Sequence, residues 1–492
     1  MQDGTLLAAV DLGSNSFRLE IGRLEHGQIQ RVEYLKETVR QGAGLDDKHE
    51  LTPEAMQRGW DCLARFAERL VGFARPQVRA VATQTLREAR NREDFIARGS
   101  AILGFPIDVV SGLEEARLIY KGVARMLPQS DERRLVVDIG GRSTELIVGR
   151  QFTPAAAASC RVGSVAWSAR YFADGAFTRS AFEAAELAAQ AVFDEVMTQF
   201  PRDSWDVAYG SSGTVGAAGS MLAPMLGQQG VITRGGLAWL QEQLLRARHV
   251  DRLRLEGLKD DRRAVIGGGL SILRAVFAQL GIERMTVAQG ALRQGALYEM
   301  LDREQPETDL RSTSVRALMR RFAVDEEQAE RVARLAVALF TQAAPAGSER
   351  AARKLGWAAQ LHEIGRRIAH GDHHLHGAYI LEHTDAAGFA LSELQRLGLL
   401  VLGQRGKLRK LAGPVQEPGF ALQLMCLRTA LALCHARRDP DVAGLTLSLQ
   451  GQRCIVRTRP GWAQAYPQSA YLLREESQAW ARTPWDYVVV EA

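Results

Sequence analysis

Two aspartates, each standing two residues before a glycine, are the residues of this chain best placed to do chemistry: Asp11 in Asp11-Leu12-Gly13-Ser14-Asn15-Ser16, and Asp138 in Asp138-Ile139-Gly140-Gly141-Arg142-Ser143. Glycine lets a turn's backbone approach an anion closely and serine hydroxyls add donors, so each turn is suited to cradle a phosphate through its N–H groups. The carboxylate at the strand end offers a hard oxygen to a magnesium ion, directly or through water. One such turn would be an ordinary β-turn. These two are copies of one another. From each aspartate, glycine falls at +2, serine at +5, leucine at +8, an aliphatic at +10, glycine at +11 and arginine at +12. A match of that length marks an internal duplication.

The elements that must position these residues follow from periodicity. Each copy reads as an apolar strand, a glycine turn and a second strand whose alternate residues are Phe17, Leu19 and Ile21, or Thr144, Leu146 and Val148; each is therefore a hairpin with the site at its tip. Between the copies, residues 78–83 read as a strand entering a helix with Arg87 and Arg90, and residues 107–110 turn at Ser111-Gly112 into a helix with Glu114 and Glu115 in its first turn. Strand ends and helix starts are where open α/β sheets bind ligands. Gly210-Ser211-Ser212-Gly213-Thr214 follows another strand-like run and reads as a helix-entry loop.

The duplicated Asp-x-Gly hairpins resemble the two phosphate loops of the actin, hexokinase and acetate kinase superfamily. The motifs DLGSNSFRL, ATQTLREARN, SGLEEARLIYKGV, DIGGRSTELIVG and GSSGT resemble, more narrowly, those of the exopolyphosphatase and guanosine pentaphosphate phosphohydrolase family. That resemblance implies an α/β fold with two duplicated actin/hexokinase-like (ribonuclease H-like) lobes, then an all-α HD-like domain and a small β-rich C-terminal domain. It aligns Glu115 with the family's catalytic residue, which would orient or deprotonate the attacking water. It makes Arg87 a phosphate clamp and Glu145 a further acidic site residue beside Asp138 and Asp11. These carboxylates imply magnesium, or another divalent ion, to offset their repulsion of substrate; potassium is a second candidate cation. The expected phosphate cradle is Gly13, Ser14, Asn15, Ser16, Arg87, Gly140, Gly141, Arg142, Ser143, Thr144, Gly210, Ser212, Gly213 and Thr214. Arg142 departs from the family's GGGSTE by replacing the third glycine, and its side chain offers a phosphate contact there.

From about residue 305 helical periods replace strand signals: Val315, Leu318, Met319 and Phe322 share one face, and Val332, Leu335, Leu339 and Phe340 repeat it after a cap at Asp325. Domains are expected at 1–125, 126–304, 305–442 and 443–492. The histidines from His362 to His376 do not form HExxH, and Glu363 stands where an HD pair would have aspartate, so the usual ligand set is incomplete. In the family the helical half serves dimerisation and guides long polyphosphate, so a homodimer is expected, and the basic cluster Arg405, Lys407, Arg409 and Lys410 is the candidate track.

Composition excludes several other classes. With 46% hydrophobic and 24% charged residues the 492-residue chain reads as globular rather than disordered. Five cysteines without CxxC spacing indicate neither a disulfide framework nor a zinc ribbon. A net charge of +5 supports only weak attraction to polyanions, and no nucleic-acid partner is expected. No run reaches the ~20 apolar residues of a membrane span, and residues 1–4 lead straight into a strand without a signal-like segment. The cytoplasm is the expected compartment, peripheral membrane association remaining open. The favoured reading is an exopolyphosphatase acting on inorganic polyphosphate. The alternative is a guanosine pentaphosphate 5′-phosphohydrolase, and the remoter ones are a superfamily kinase or a non-catalytic polyphosphate sensor. The four carboxylates Asp11, Glu115, Asp138 and Glu145 argue against a mere anion binder.

Overall fold

The computed structural model describes residues 1–304 and 309–491, so the boundary expected at 305 lies outside the described residues. The chain forms two compact units, one up to residue 308 and one from Asp309.

In the first unit the duplication is visible as topology. Strands β1 (Leu6–Leu12), β2 (Phe17–Glu25), β3 (Gln28–Glu37), β4 (Val78–Ala82) and β5 (Ile107–Val109) form a sheet of order β3-β2-β1-β4-β5. Strands β6 (Arg133–Ile139), β7 (Thr144–Arg150), β8 (Thr153–Cys160), β9 (Val207–Ser211), β10 (Val231–Thr233) and β11 (Arg284–Val287) form a second, of order β10-β11-β9-β6-β7-β8. Leaving aside the antiparallel edge strand β10, the two sheets have the same order. In each, an antiparallel meander of three strands is extended by parallel pairing of its first strand to the strand that follows the hairpin. The register also repeats, with bulges between Ile21 and Gly22 and between Val148 and Gly149. These are the +10 and +11 positions of the repeat, and an interior strand glycine is a mark of a bulge or close approach.

The hairpins are buried more deeply than alternation predicts. All but the last residue of β7 are buried, as is Glu20 on β2, because helices cover both faces and near-continuous burial follows. Glu145 is interior to its sheet: β7 runs between β6 and β8, and Glu145 pairs across from Asp138 and Ser159.

Two helices join the lobes. Gly112–Arg125 begins at the Ser111 cap, whose hydroxyl accepts from the Glu114 N–H at 3.2 Å, and runs toward β6. Leu292–Glu304 returns across it and lays Ala296, Leu297 and Met300 on Leu7 and Ala9 of β1. The crossing is tight because Gly122, Gly290 and Gly295 meet backbone: a Cβ at any of them would collide with a carbonyl or N–H of the other segment.

The second unit holds helices Leu310–Arg321, Glu326–Ala343, Glu349–Gln360, His373–Glu382, Leu391–Gly403 and Pro418–Leu433. Asp325 caps its helix as expected, accepting from the Gln328 N–H at 3.1 Å. A sheet of β12 (Thr446–Gln450), β13 (Arg453–Thr458) and β14 (Asp486–Glu491) follows, with helix Pro467–Trp480 inserted before β14. All five cysteines are buried and free. Among the described residues no helix is long and apolar enough to cross a membrane.

Candidate active site

The carboxyl ends of β1, β4, β6 and β9 converge on one narrow cavity of about 80 Å³ between the lobes. Asp11, Gly13, Ser14, Asn15 and Ser16 line it from the first hairpin; Asp138, Gly140, Gly141 and Ser143 line it from the second. Glu115, Ser212 and Gly213 complete the expected set that reaches the surface. The two loop tips touch, a Cβ at Gly141 standing 3.0 Å from the Ser14 Cβ, so glycine is what lets the loops meet. The second loop is braced from behind. Its Gly140 and Gly141 carbonyls accept from the N–H groups of Ser164 and Val165 at 2.9 and 2.8 Å. Ser212 holds φ +82°, a left-handed conformation that costs a non-glycine residue energy, and its hydroxyl donates to the Ile139 carbonyl at 2.7 Å.

The remaining expected residues lie behind this wall. Thr144 is fully buried and donates to the Val162 carbonyl at 2.6 Å, so its hydroxyl is not offered to a ligand. Gly210 packs within β9 against Val215 and Met285, and Thr214 is buried in the first turn of the following helix. Arg87 donates through Nη1 to Glu115 Oε2 at 2.6 Å and to the Val110 carbonyl at 3.0 Å. Arg142 has no positive φ, and its guanidinium binds Glu88 at 2.7 Å and the Gly42 carbonyl at 3.2 Å. Both arginines are thus engaged with protein acceptors and do not line the cavity.

Two arginines that sequence reasoning missed do line it. Arg18 holds Asp11 Oδ2 at 3.2 Å, and Arg262 lies against Gly213, where any Cβ would collide with its guanidinium. Burial, and then the like charge of Arg18, push Arg262 below its ordinary value. The two half-buried guanidiniums, lining one cavity, offer it donors suited to an anion. Arg18 had a local signal, since the hairpin pairs it directly with Asp11. Arg262 had none. Arg293 also holds Asp11 Oδ2, at 3.3 Å, and Glu20 at 3.2 Å; Thr83 and Ser164 are further lining residues outside the expected set.

Beside these cations is a concentration of acid. Asp138 is pushed up to about 6, first by burial and then by Glu115 and Asp11, against a hydrogen bond from Ser211. Burial also raises Glu115, with Arg87 opposing. Glu145 is raised well above the carboxylate range by burial and then by Glu115 and Asp138; it accepts from Ser159 Oγ at 2.8 Å. Asp11, Glu115 and Asp138 line the cavity, whereas Glu145 stands behind Asp138 and does not.

In the second unit, Glu363 is held by Arg366 at 2.9 Å and Arg437 at 2.5 Å, and buried His362 donates from Nδ1 to the Ala359 carbonyl at 2.7 Å while burial lowers it to about 4. Arg405, Lys407, Arg409 and Lys410 are exposed around a short 3-10 turn, Lys410 donating to the Arg405 carbonyl at 3.1 Å.

The family model described as the Ppx/GppA phosphatase family matches residues 21–304, and that described as Ppx/GppA phosphatase, domain III, matches residues 310–477. A Vibrio cholerae protein described as guanosine-5'-triphosphate,3'-diphosphate pyrophosphatase is 40% identical over 486 residues, covering 98% of this chain and 97% of its own. One of the same description from Vibrio campbellii is 39% identical over 495 residues, with 99% and 98% covered. Among solved structures, an exopolyphosphatase from Cytophaga hutchinsonii is 26% identical with a TM-score of 0.52, over 61% of this chain and 98% of that one. An Aquifex aeolicus Ppx/GppA enzyme, 23% identical with a TM-score of 0.51 over 60% and 99%, shares the fold. With both family models placed along the chain and the duplicated lobes meeting at paired Asp-x-Gly loops, this chain belongs to the Ppx/GppA phosphatase family.

Proposed function

We propose that this chain hydrolyses the terminal 5′ phosphoanhydride of guanosine pentaphosphate, releasing orthophosphate and guanosine tetraphosphate. The observation that carries this reading is the 40% identity extending over 98% of the chain to a protein described as acting on that nucleotide. It reverses the order expected from the motifs, which put polyphosphate first. Polyphosphate remains the second reading, supported by the exopolyphosphatase structure at 26% identity, whose likeness covers 61% of this chain.

In this mechanism the loop N–H groups of Gly13–Ser16 and Gly141–Ser143, with Arg18 and Arg262, grip the terminal phosphate oxygens; the Gly140 N–H is spent on the Ser143 carbonyl, at 2.8 Å, which closes the turn. Arg87 keeps Glu115 in place. The Glu115 carboxylate takes a proton as water oxygen bonds to the terminal phosphorus, and the bond from that phosphorus to the bridging oxygen breaks in line. The acidic wall fits a divalent cation. Among the described residues no three His, Cys, Asp or Glu side chains gather into a metal cage, but magnesium is commonly held by one or two carboxylates with waters and substrate phosphates. Asp138 and Asp11 are the proposed holders, with Glu145 behind Asp138. When bound, the ion would neutralise phosphate charge and the developing charge of the leaving oxygen.

The test is phosphate release with magnesium from guanosine pentaphosphate and from long-chain polyphosphate, at equal terminal-phosphate concentration. A higher kcat/KM for the nucleotide is expected. Preference for the polymer would install the second reading, and release from neither would refute both. Glu115→Gln should lower kcat by about 10²–10⁴ with substrate binding retained; unchanged turnover would remove Glu115 from its role.

A further inference from the structure

We propose that Arg142 is a positioning residue that ties the second lobe to the placement of Glu115 through a relay of three side chains. This rests on the assignment of Glu115 as the base. Arg142 belongs to the second phosphate loop, yet its guanidinium is committed to the first lobe: Nε and Nη2 hold Glu88 Oε2 at 2.8 and 2.7 Å, and Nη1 donates to the Gly42 carbonyl at 3.2 Å. The other oxygen of Glu88 accepts from Gln84 Nε2 at 2.6 Å. Gln84 Oε1 in turn accepts from Arg87 Nε at 3.1 Å and Nη2 at 2.5 Å. Arg87 Nη1 then donates to Glu115 Oε2 at 2.6 Å. Each member therefore has one face toward Arg142 and the other toward Glu115.

The order is dictated by donor and acceptor chemistry. A glutamine amide must point its NH₂ at an acceptor and its oxygen at a donor, and here Glu88 and Arg87 fill those roles, which fixes the amide's orientation. Glu88 is mostly buried, with 13% of its side chain exposed. Freed of Arg142, it would be an uncompensated carboxylate adjacent in sequence to Arg87, competing with Glu115 for that guanidinium. Arg142 neutralises Glu88 and leaves Arg87 to Glu115. Because Arg142 stands on one lobe and the three relay residues on a short helix of the other, Gln84–Glu88, the relay is complete only when the two loops are in contact. A glycine at this position would provide no such tie.

The consequence is legible in a pH profile. Burial raises Glu115, Arg87 opposes that rise, and Asp11, Asp138 and Glu145 face it from the two hairpins; a loosened Arg87 lets the carboxyl rise further, and the acidic limb of kcat/KM, to which Asp138 also contributes, moves to higher pH. The experiment measures that profile for the full chain with whichever of the two substrates it hydrolyses, in the wild type, Arg142→Ala, Gln84→Ala and the double variant. Glu88→Gln replaces Gln84→Ala if the latter does not fold, as judged by its melting curve. Expected for Arg142→Ala is a kcat lower by about tenfold and an acidic limb displaced upward by about one pH unit, with the double variant no worse than Gln84→Ala alone. A raised KM with the limb unmoved, and effects that multiply in the double variant, would make Arg142 a phosphate ligand and overturn the relay, as would a lowered melting temperature with the profile unchanged. Glu115→Gln run in parallel separates the failures: if it keeps turnover the base assignment is wrong, whereas if it is inactive and Arg142→Ala keeps the wild-type limb, only the relay is wrong. Absence of hydrolysis of either substrate by the wild type would remove both.

Discussion

At the scale of single residues, the site stores unfavourable charge. Asp138 is ordinarily ionised above 3.8 but here reaches that point only near 6, so its ionised form is disfavoured in the fold. A group raised in this way contributes stability that is present below pH 4 and lost as pH rises through 6. Asp138→Asn should therefore raise the melting temperature in metal-free buffer at pH 7.5, the shift corresponding to as much as about 3 kcal/mol, while hydrolysis is lost. An unchanged or lower melting temperature would show that Asp138 is well solvated or already compensated. The same logic gives magnesium a pH-dependent effect. Added magnesium should stabilise the wild type at pH 7.5 and progressively less as pH falls below 6, where protons compete for the same oxygens. A melting temperature indifferent to magnesium at pH 7.5 would remove these carboxylates as holders of the ion, and chelation would then leave activity intact.

At the scale of elements, the repeated glycines reflect two kinds of crowding. Gly13 and Gly140 shape the loop tips, whereas Gly22 and Gly149 sit at matching bulges. A Cβ at Gly149 would stand 2.5 Å from the Tyr120 ring and 2.6 Å from the Thr153 carbonyl. Tyr120 lies on the helix that carries Glu115, so the bulge presses the second lobe's sheet against the element that positions the proposed base. Gly149→Ala should cost about 2 kcal/mol or more in a denaturant titration; a loss below about 0.5 kcal/mol would mean the bulge can relax. The crossing helices are similar. Gly122 and Gly295 permit backbone contact between the helix leaving the first lobe and the helix returning to it, so bulk at either position strikes main chain, which cannot rotate away.

At the scale of the whole molecule, the second unit carries the residues proposed as a polymer track. Arg428, among the basic residues of this region, is not free to track a polymer, being buried against Glu476 at 2.6 Å, and Arg437 is spent on Glu363 and Asp325. Arg405, Lys407, Arg409 and Lys410 remain exposed. If the chain also shortens polyphosphate through these residues, changing all four to alanine should raise KM for long chains several-fold and flatten its salt dependence, with guanosine pentaphosphate kinetics unmoved. Equal effects on both substrates would mean the cluster acts by general charge or stability instead.

The hairpins, their tips and the aspartates were legible because each depends on neighbours within about ten residues: alternation sets the strands, glycine permits the turn, and register follows from the turn. The duplication added weight because two local patterns coincided. Glu115 was legible by family resemblance rather than by physics, since two acids in a helix's first turn are ordinarily partners of the helix dipole. Tertiary structure decided what these residues touch. Arg262 reaches the cavity from far along the chain, a long-range placement that no periodicity encodes. Arg87 and Arg142 had the right chemistry for phosphate but were taken by Glu115 and Glu88, because a buried carboxylate binds an adjacent guanidinium before any ligand arrives. Glu145 became a buried acid rather than a solvated one when β8 paired with its strand. Local pattern sets which groups the two hairpins and the helix starts hold at their tips; the packing of the two lobes sets which of them face the cavity and which hold the others in place, because those contacts join residues far apart in the chain.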